Sequence, residues 1–227
     1  METVEPAIVR AAAGQTLSRR EFGAVAAGGL AASLLQPSAV TFGVQSYSFR
    51  DRSLDDAIAG MQKLGLRSCE LWQNHVEPPK MPRAELRRWR ETVSMDTFHR
   101  VRDQLAKASI TLSAYNISIT DTFSDAELER AFDMTAALGA PLITSSSNVA
   151  TVARIAPFAE RRKMVVAMHN HSRIDANEFA TAKSLTDAMA KGRYIWVNLD
   201  IGHLLSRTSF RTSTIGVSPA PNSTLGP

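Results

Sequence analysis

Apolar positions along this chain follow two alternating periods. From residue 40 onward, short runs rich in β-branched and aromatic residues each give way to a stretch with apolar residues three and four apart. The run VTFGVQSYSF (40–49) reads as a strand. Ser53 then opens a helix, with Asp56 as capping-box partner, Leu54, Ala57, Ile58, Met61 and Leu64 as the apolar stripe, and Gly65 as the stop. RSCELW (67–72) is the second strand. Residues 74–94 are polar, contain Pro78, Pro79 and Pro82, and predict a long loop with a short helix, a kind of connection that often carries function. Phe98, Val101, Leu105 and Ala108 mark the next helix face, before a third strand at 110–119. Ser124 and Glu127 form another capping box, on a helix that stops at Gly139. The fourth strand is predicted at 141–147, a helix bent at Pro157 over 148–162, the fifth strand at 164–171, a helix over 177–191 and the sixth strand at 194–200.

Strands alternating with helices of this length imply parallel βαβ units. A doubly wound open sheet and a (β/α)8 barrel both satisfy the pattern. The first strand is followed by SFRDRS, without the glycine-rich turn of a dinucleotide fold, which weighs against the open sheet.

Composition is that of an ordinary globular chain: 227 residues, 44% hydrophobic, 21% charged and a net charge of +4. The small positive excess does not point to nucleic acid. Arg83, Arg87, Arg88 and Arg90 crowd one segment and read as a solvated helix face, with an anionic partner as the alternative. Cys69 is the only cysteine, so no internal disulfide exists, and its apolar surroundings predict a small core residue.

Before residue 40 the pattern is different. Ser18-Arg19-Arg20-Glu21-Phe22 resembles a twin-arginine export signal, followed by an apolar, small-residue stretch to Leu35 that is too short to span a bilayer. The expectation is a signal region at 1–39, engagement of the Tat translocase, a periplasmic destination and no stable membrane span. That route carries folded proteins.

Chemically loaded residues gather where the predicted strands end. Glu70 ends strand two, with His75 just beyond it. His169-Asn170-His171 ends strand five, and Asp200-Ile201-Gly202-His203 ends strand six. In a barrel these are the ends that carry function. His169 and His171 alternate along a strand and share a face. Asp200 and His203, one helical turn apart, can converge on one ion or one ligand, the first as a hard oxygen donor and the second as a borderline nitrogen.

GVQSYSFRD, LGLRSCELW, MVVAMHNH and VNLDIGH together resemble segments of sugar phosphate isomerase/epimerase-like proteins of the xylose-isomerase-like TIM-barrel group. The resemblance covers roughly residues 40–203. It implies one divalent cation, manganese, magnesium, cobalt or zinc, chelating the oxygens of a sugar or polyol and stabilising an enediolate. By position it makes His169 and Asp200 the metal ligands and lets His203 bind a substrate oxygen; Glu70, from its strand-end position, and His203 are the candidate catalytic residues. His75, Asn170 and His171 then bind substrate. His169 stands where the group often has a glutamate. A neutral imidazole cannot replace that carboxylate as a proton carrier of the same pKa.

Three segments follow from this reading: the signal region at 1–39, the barrel domain at 40–205 and a Ser/Thr/Pro/Gly-rich tail at 206–227 that reads as disordered or out of frame. About six βα units are present and the last two are missing. The function expected is a metal-dependent isomerase or epimerase, inactive if the barrel is truncated. The alternatives are a non-catalytic carbohydrate-binding protein on the same scaffold, a non-functional fragment, and an endonuclease of the same fold, which the export signal disfavours.

Overall fold

The computed structural model describes residues 41–173 and 175–205. The expected signal region at 1–39 and the expected tail at 206–227 lie outside these residues. The described chain contains six strands: β1 (Val44–Gln45), β2 (Ser68–Trp72), β3 (Thr111–Asn116), β4 (Leu142–Ser145), β5 (Val165–His169) and β6 (Ile195–Asn198). Seven α-helices accompany them: α1 (Leu54–Lys63), α2 (Arg83–Thr92), α3 (Asp96–Lys107), α4 (Asp125–Ala137), α5 (Val152–Arg162), α6 (Ala182–Met189) and α7 (Ile201–Leu205). No described helix is long and apolar enough to cross a membrane.

The strands form one sheet in the order β1-β2-β3-β4-β5-β6, and every neighbouring pair is parallel. That order decides between the two architectures. A doubly wound sheet reverses direction at a switch point, which puts helices on both faces. Here the order never reverses, so right-handed crossovers bring every helix to the same face. A sheet covered on one face only curls around its other face. The fold is therefore an incomplete (β/α)8 barrel of six units.

Local signals place the elements. Ser53 caps α1 by accepting from the Asp56 N–H. Ser124 and Glu127 complete a reciprocal capping box on α4. Gly65 and Gly139 leave α1 and α4 in the left-handed region, at φ 71° and 69°, where an L side chain would be strained. Ala57, Ile58 and Met61 of α1 and Phe98, Val101 and Leu105 of α3 are buried as the periodicity requires. Leu64, assigned to the same stripe, is 68% exposed, because it is the residue that caps the helix end. Cys69 is fully buried, and burial pushes its thiol up to about 12, so it is an inert core residue.

Several predicted strands shorten. β1 keeps only Val44 and Gln45 of the predicted run, because Ser46–Phe49 wind into a 3₁₀ turn. β5 stops at His169, so His171 stands past the strand rather than within it. Pro157 sits inside α5, which begins at Val152 after a 3₁₀ turn at Val149–Thr151. A bulge opposite Cys69 and Glu70 skips Ser113, since Cys69 pairs with Leu112 and Glu70 with Ala114.

The arginine run is not a uniformly solvated face. Arg90 is buried, with Nε and Nη2 donating to the two oxygens of Glu77 at 2.8 and 2.7 Å and Nη1 donating to Glu127 at 3.3 Å. Arg83 grips Glu127 with two bonds of 2.8 and 2.7 Å, and Arg87 reaches the same carboxylate at 3.4 Å. A fully buried carboxylate needs this compensation. Pro82, at the N-terminal cap, and the arginines of the long predicted loop thus build α2, clamped onto α4.

Candidate functional site

The site begins with a polar layer that the sheet assembles. Glu70 of β2 alternates with Cys69 and Leu71, both fully buried core residues, so it points the other way, into the barrel. Its Oε1 accepts from Gln45 Nε2 of β1 and from Thr144 Oγ1 of β4, each at 2.6 Å. Asn116 of β3 donates to Thr144 Oγ1 at 3.1 Å. Four strands are joined through side chains here. Glu70 is thus the hub of a layer that fixes the positions of Gln45 and Asn116.

Above that layer, at the C-terminal ends of the strands, lies a cavity of about 420 Å³. Gln45, Asn116 and Ser118 line one side, Tyr47 and Trp72 form an aromatic wall, and His169, His171, Asp200 and His203 face them. Tyr47 and Trp72 pack edge to face, 5.0 Å between ring centres. A second cavity of about 500 Å³, lined by Arg102, Leu105 and Ser109 among others, is larger but lies at the opposite end, near the start of β3. It gathers no cluster of potential ligands, so chemistry rather than size picks the site.

Donor atoms of His169, Asp200 and His203 all lie within 4.8 Å of one another, the one such group of metal-capable side chains among the described residues. Two strand ends bring them together. His169 closes β5, and its backbone pairs with Asn198 of β6, two residues before Asp200. Asn170 locks the crossing: its Nδ2 donates to the Asp200 carbonyl at 3.0 Å, and its Oδ1 accepts from the Asp200 N–H at 2.7 Å. Asp200 Oδ1 accepts from the His203 N–H at 2.7 Å and so caps the short α7, which turns His203 back toward the cavity. Asp200 Oδ2 stands 4.0 Å from His169 Nε2.

Electrostatics at the cluster favour a neutral His169 and an ionised Asp200. Burial lowers the His169 pKa, the neighbouring His171 and His203 lower it further, and Asp200 and Glu70 oppose the shift. The His203 N–H holds the Asp200 carboxyl below its ordinary range, aided by the charges of His203 and His169. A neutral His169 imidazole beside an ionised Asp200 carboxylate is the form in which both donate to a cation. His169 Nδ1 is buried and has no hydrogen-bond partner. A buried polar nitrogen without a partner costs stability unless something else engages the ring. These residues therefore fit a divalent ion.

The other sequence candidates fall in different places. His171 joins the cavity, with its Nδ1 2.9 Å from Glu178 Oε2. Asn170 is buried and positions Asp200 rather than lining the cavity. Glu70 stands one layer behind. His75 is turned away: Nδ1 meets Ser46 Oγ at 2.8 Å and Nε2 meets the Phe49 carbonyl at 3.3 Å, while its ring packs edge-on to Trp72. Ser46 Oγ also accepts from the Trp72 N–H at 2.8 Å, so His75 and Ser46 together hold the aromatic wall. Sequence reading missed Gln45, Tyr47, Trp72, Asn116, Ser118 and Glu178. The first five are at or just past strand ends, and that position was the available signal.

No protein-family model matches the sequence, and no curated protein sequence matches it. Solved structures do match the fold. The probable 3-DHS dehydratase AsbF, involved in petrobactin synthesis in Bacillus anthracis, aligns with a TM-score of 0.53 at 15% identity, covering 74% of this chain and 65% of that one. An L-ribulose 3-epimerase aligns with a TM-score of 0.52 at 14% identity, covering 74% and 63%. A protein described as a xylose isomerase from Rhodospirillum rubrum aligns with a TM-score of 0.51 at 21% identity, covering 72% and 66%. The chain thus spans just under two thirds of the length of each. At these identities the likeness is one of fold: this chain carries six βα units of a barrel shared with sugar-processing and dehydratase proteins.

Proposed function

We propose that the protein is a metal-dependent isomerase or epimerase acting on a small sugar or polyol, exported by the twin-arginine route to the periplasm. The observation that carries the activity is the convergence of His169, Asp200 and His203 beside a polar cavity at the C-terminal ends of the strands. A divalent ion held there would polarise a substrate carbonyl and stabilise the enediolate formed when the adjacent carbon loses its proton.

The chain's own side chains supply the rest. Gln45, Asn116 and Ser118 offer donors and acceptors to hydroxyl groups, and Trp72 and Tyr47 give the sugar's C–H face an apolar wall. His203, a member of that donor group, is the proton-carrying candidate where His169 and Asp200 hold the ion. Glu70 sets the floor beneath the substrate and polarises Gln45 through their 2.6 Å bond. The similarity in fold to an L-ribulose 3-epimerase and to a protein described as a xylose isomerase supports the substrate class.

A non-catalytic carbohydrate-binding role has one observation in its favour: among the described residues lining the cavity, Asp200 is the only carboxylate. One experiment separates the two. The metal-loaded protein is incubated with a panel of ketoses in deuterium oxide. Exchange at the carbon next to the carbonyl establishes the enzyme, and saturable binding without exchange establishes the binding module. Export is tested by fusing residues 1–39 to a reporter that is active only after folded transport, with Arg19→Lys/Arg20→Lys as the control expected to retain it in the cytoplasm.

A further inference from the structure

Two carboxylates behind the cavity walls settle which way the hydrogen bonds at those walls point. An ionised carboxylate accepts and never donates. Glu70 Oε1 takes two bonds of 2.6 Å, from Gln45 Nε2 and from Thr144 Oγ1. The Thr144 hydroxyl has one proton and spends it on Glu70, so its oxygen is the acceptor for Asn116 Nδ2 at 3.1 Å. Donation therefore runs one way, from both side-chain amides down to Glu70. Thr144 and Asn116 are buried, so bulk water does not compete for these bonds. Gln45 and Asn116 both line the cavity. With their nitrogens committed to the layer below, their oxygens are the ends left for a ligand.

On the facing wall a second carboxylate does the same to His171. The ring Nδ1 lies 2.9 Å from Glu178 Oε2, and because the carboxylate accepts, Nδ1 carries the proton. In the neutral ring Nε2 then holds a lone pair and is an acceptor. The segment that delivers Glu178 is tied down on both sides of it. The His171 N–H donates to the Phe179 carbonyl at 3.1 Å, and the Phe179 ring is fully buried. Asn177 accepts from the Val149 N–H through its carbonyl at 3.1 Å and from the Ala150 N–H through Oδ1 at 3.0 Å.

We propose that Glu70 and Glu178 are positioning residues that make these walls an array of hydrogen-bond acceptors, Gln45 Oε1, Asn116 Oδ1 and His171 Nε2, and that the ligand recognised there is a neutral polyhydroxy segment whose hydroxyls donate. The inference rests on the reading of the cavity as a sugar or polyol site and narrows it. A hydroxyl brings a proton to each of the three atoms. A phosphate or carboxylate set against the same atoms would pair acceptor with acceptor and leave them unsatisfied. The edge-to-face pair Tyr47 and Trp72 covers the C–H face of the same segment. Glu70 thus acts on a ligand that it does not touch, by fixing the amides of two neighbouring strands.

Two measurements on the full chain test this. The first needs no ligand: proton–nitrogen spectra of the chain isotope-labelled in its histidines. One ring should be protonated at Nδ1 and bare at Nε2, and it should revert to protonation at Nε2 in Glu178→Met. The second is calorimetric titration, with manganese(II) present, of the ketose in the panel that binds most tightly. It is repeated with analogues in which each hydroxyl in turn is replaced by fluorine, which cannot donate. At two or three positions fluorine should weaken binding by about tenfold. In Glu70→Met, which frees Gln45 and Thr144 to turn over, the penalty at one or two of those positions should fall below about twofold. Glu70→Gln keeps an oxygen for both donors and should retain the penalties within about threefold. Circular dichroism checks that the variants fold, and the wild-type fluorine pattern and ring tautomer decide the matter without them. The acceptor array is wrong if no fluorine substitution weakens binding by more than about twofold, if the penalties persist in Glu70→Met, or if His171 Nε2 carries a proton. Exchange in deuterium oxide separates this from the enzymatic reading. Fluorine penalties without exchange leave the array standing and remove the enzyme, whereas exchange without penalties does the reverse. If no ketose binds, both fall.

Discussion

Two polar clusters in this molecule are built from similar materials and finished differently. Beneath α2, the buried Glu77, Arg90 and Glu127 satisfy one another: five of the bonds described above link two arginines to two carboxylates, and Ser124 adds a backbone N–H to Glu127 at 2.9 Å. Arg90 also lies over the Phe123 ring at 4.5 Å. At the ends of β5 and β6, three basic rings crowd one carboxylate, and one buried ring nitrogen has no partner. Like groups gathered with unmet valence mark a place where a ligand completes the structure. Opposite groups gathered with every valence met mark a place where the fold is held.

The comparison predicts opposite responses to mutation. Arg90→Met removes the partner of a buried carboxylate and should cost about 3–5 kcal/mol of unfolding free energy. Glu127→Gln should cost a similar amount, because Arg90 and Arg83 then face a neutral group. Urea unfolding of the apo chain measures both, and metal affinity should not change in molecules that remain folded. A loss under about 1 kcal/mol would mean that the cluster is solvated and the contrast with the histidine site is false. Acid supplies the same perturbation without a mutation. Burial alone would raise the Glu127 pKa, but Arg83, the Ser124 N–H and Arg90 hold it below the ordinary carboxylate range. Its contribution is therefore fully present above the unfolded carboxylate value of about 4.3 and is lost as pH falls through the lower folded value. Urea midpoints measured from pH 7 to pH 3 should fall at the acid end, and the fall should be shallower in Glu127→Gln.

At the histidine site the expected signs reverse. Asp200→Asn keeps an oxygen for the His203 N–H and so preserves the cap of α7. Apo stability should change by less than about 1 kcal/mol. Zinc affinity should fall by about a hundredfold, or about 2.7 kcal/mol. Calorimetric titration beside thermal unfolding reads the two numbers from one preparation. An apo chain destabilised as much as Arg90→Met would make Asp200 a structural residue and leave the molecule with two clusters of the same kind.

This contrast also explains what the sequence disclosed. Strand and helix periods were visible because each helix buries one stripe, as Phe98, Val101 and Leu105 do. The barrel, as against the open sheet, needed the strand order, which no local pattern encodes. His169, His171, Asp200 and His203 were legible because they sit within a few residues of strand ends and occur in two short motifs. Glu178 was not, because its relation to His171 spans an irregular segment with no periodic signal. Glu70 and His75 were found by position and then placed differently, since a strand-end residue can face the ligand or brace the wall behind it. The arginine run misled for a related reason. Charge spacing along a helix says which side chains share a face, but Arg90 is buried because Glu77 and Glu127 arrive from elsewhere in the chain.

The smallest expected effect tests the boundary between the two clusters. Tyr115 is fully buried in the core, and its hydroxyl has no hydrogen-bond partner. Burial pushes its pKa well above the ordinary value, the nearby Glu77 adds to the rise, and Arg90 opposes it. The hydroxyl thus borders the saturated ion cluster without joining it. Removing an unpaired buried hydroxyl while keeping the ring relieves a desolvation cost and loses no bond. Tyr115→Phe should therefore leave stability unchanged or raise it by up to about 1 kcal/mol, as a small upward shift in the urea midpoint. A loss of about 1 kcal/mol or more would show that the hydroxyl is bonded in solution through a buried water to the Glu77–Arg90 pair. The ion cluster would then extend to the ring that packs on Phe98 with centres 6.4 Å apart, and Tyr115 would no longer share the unmet valence that marks the histidine site.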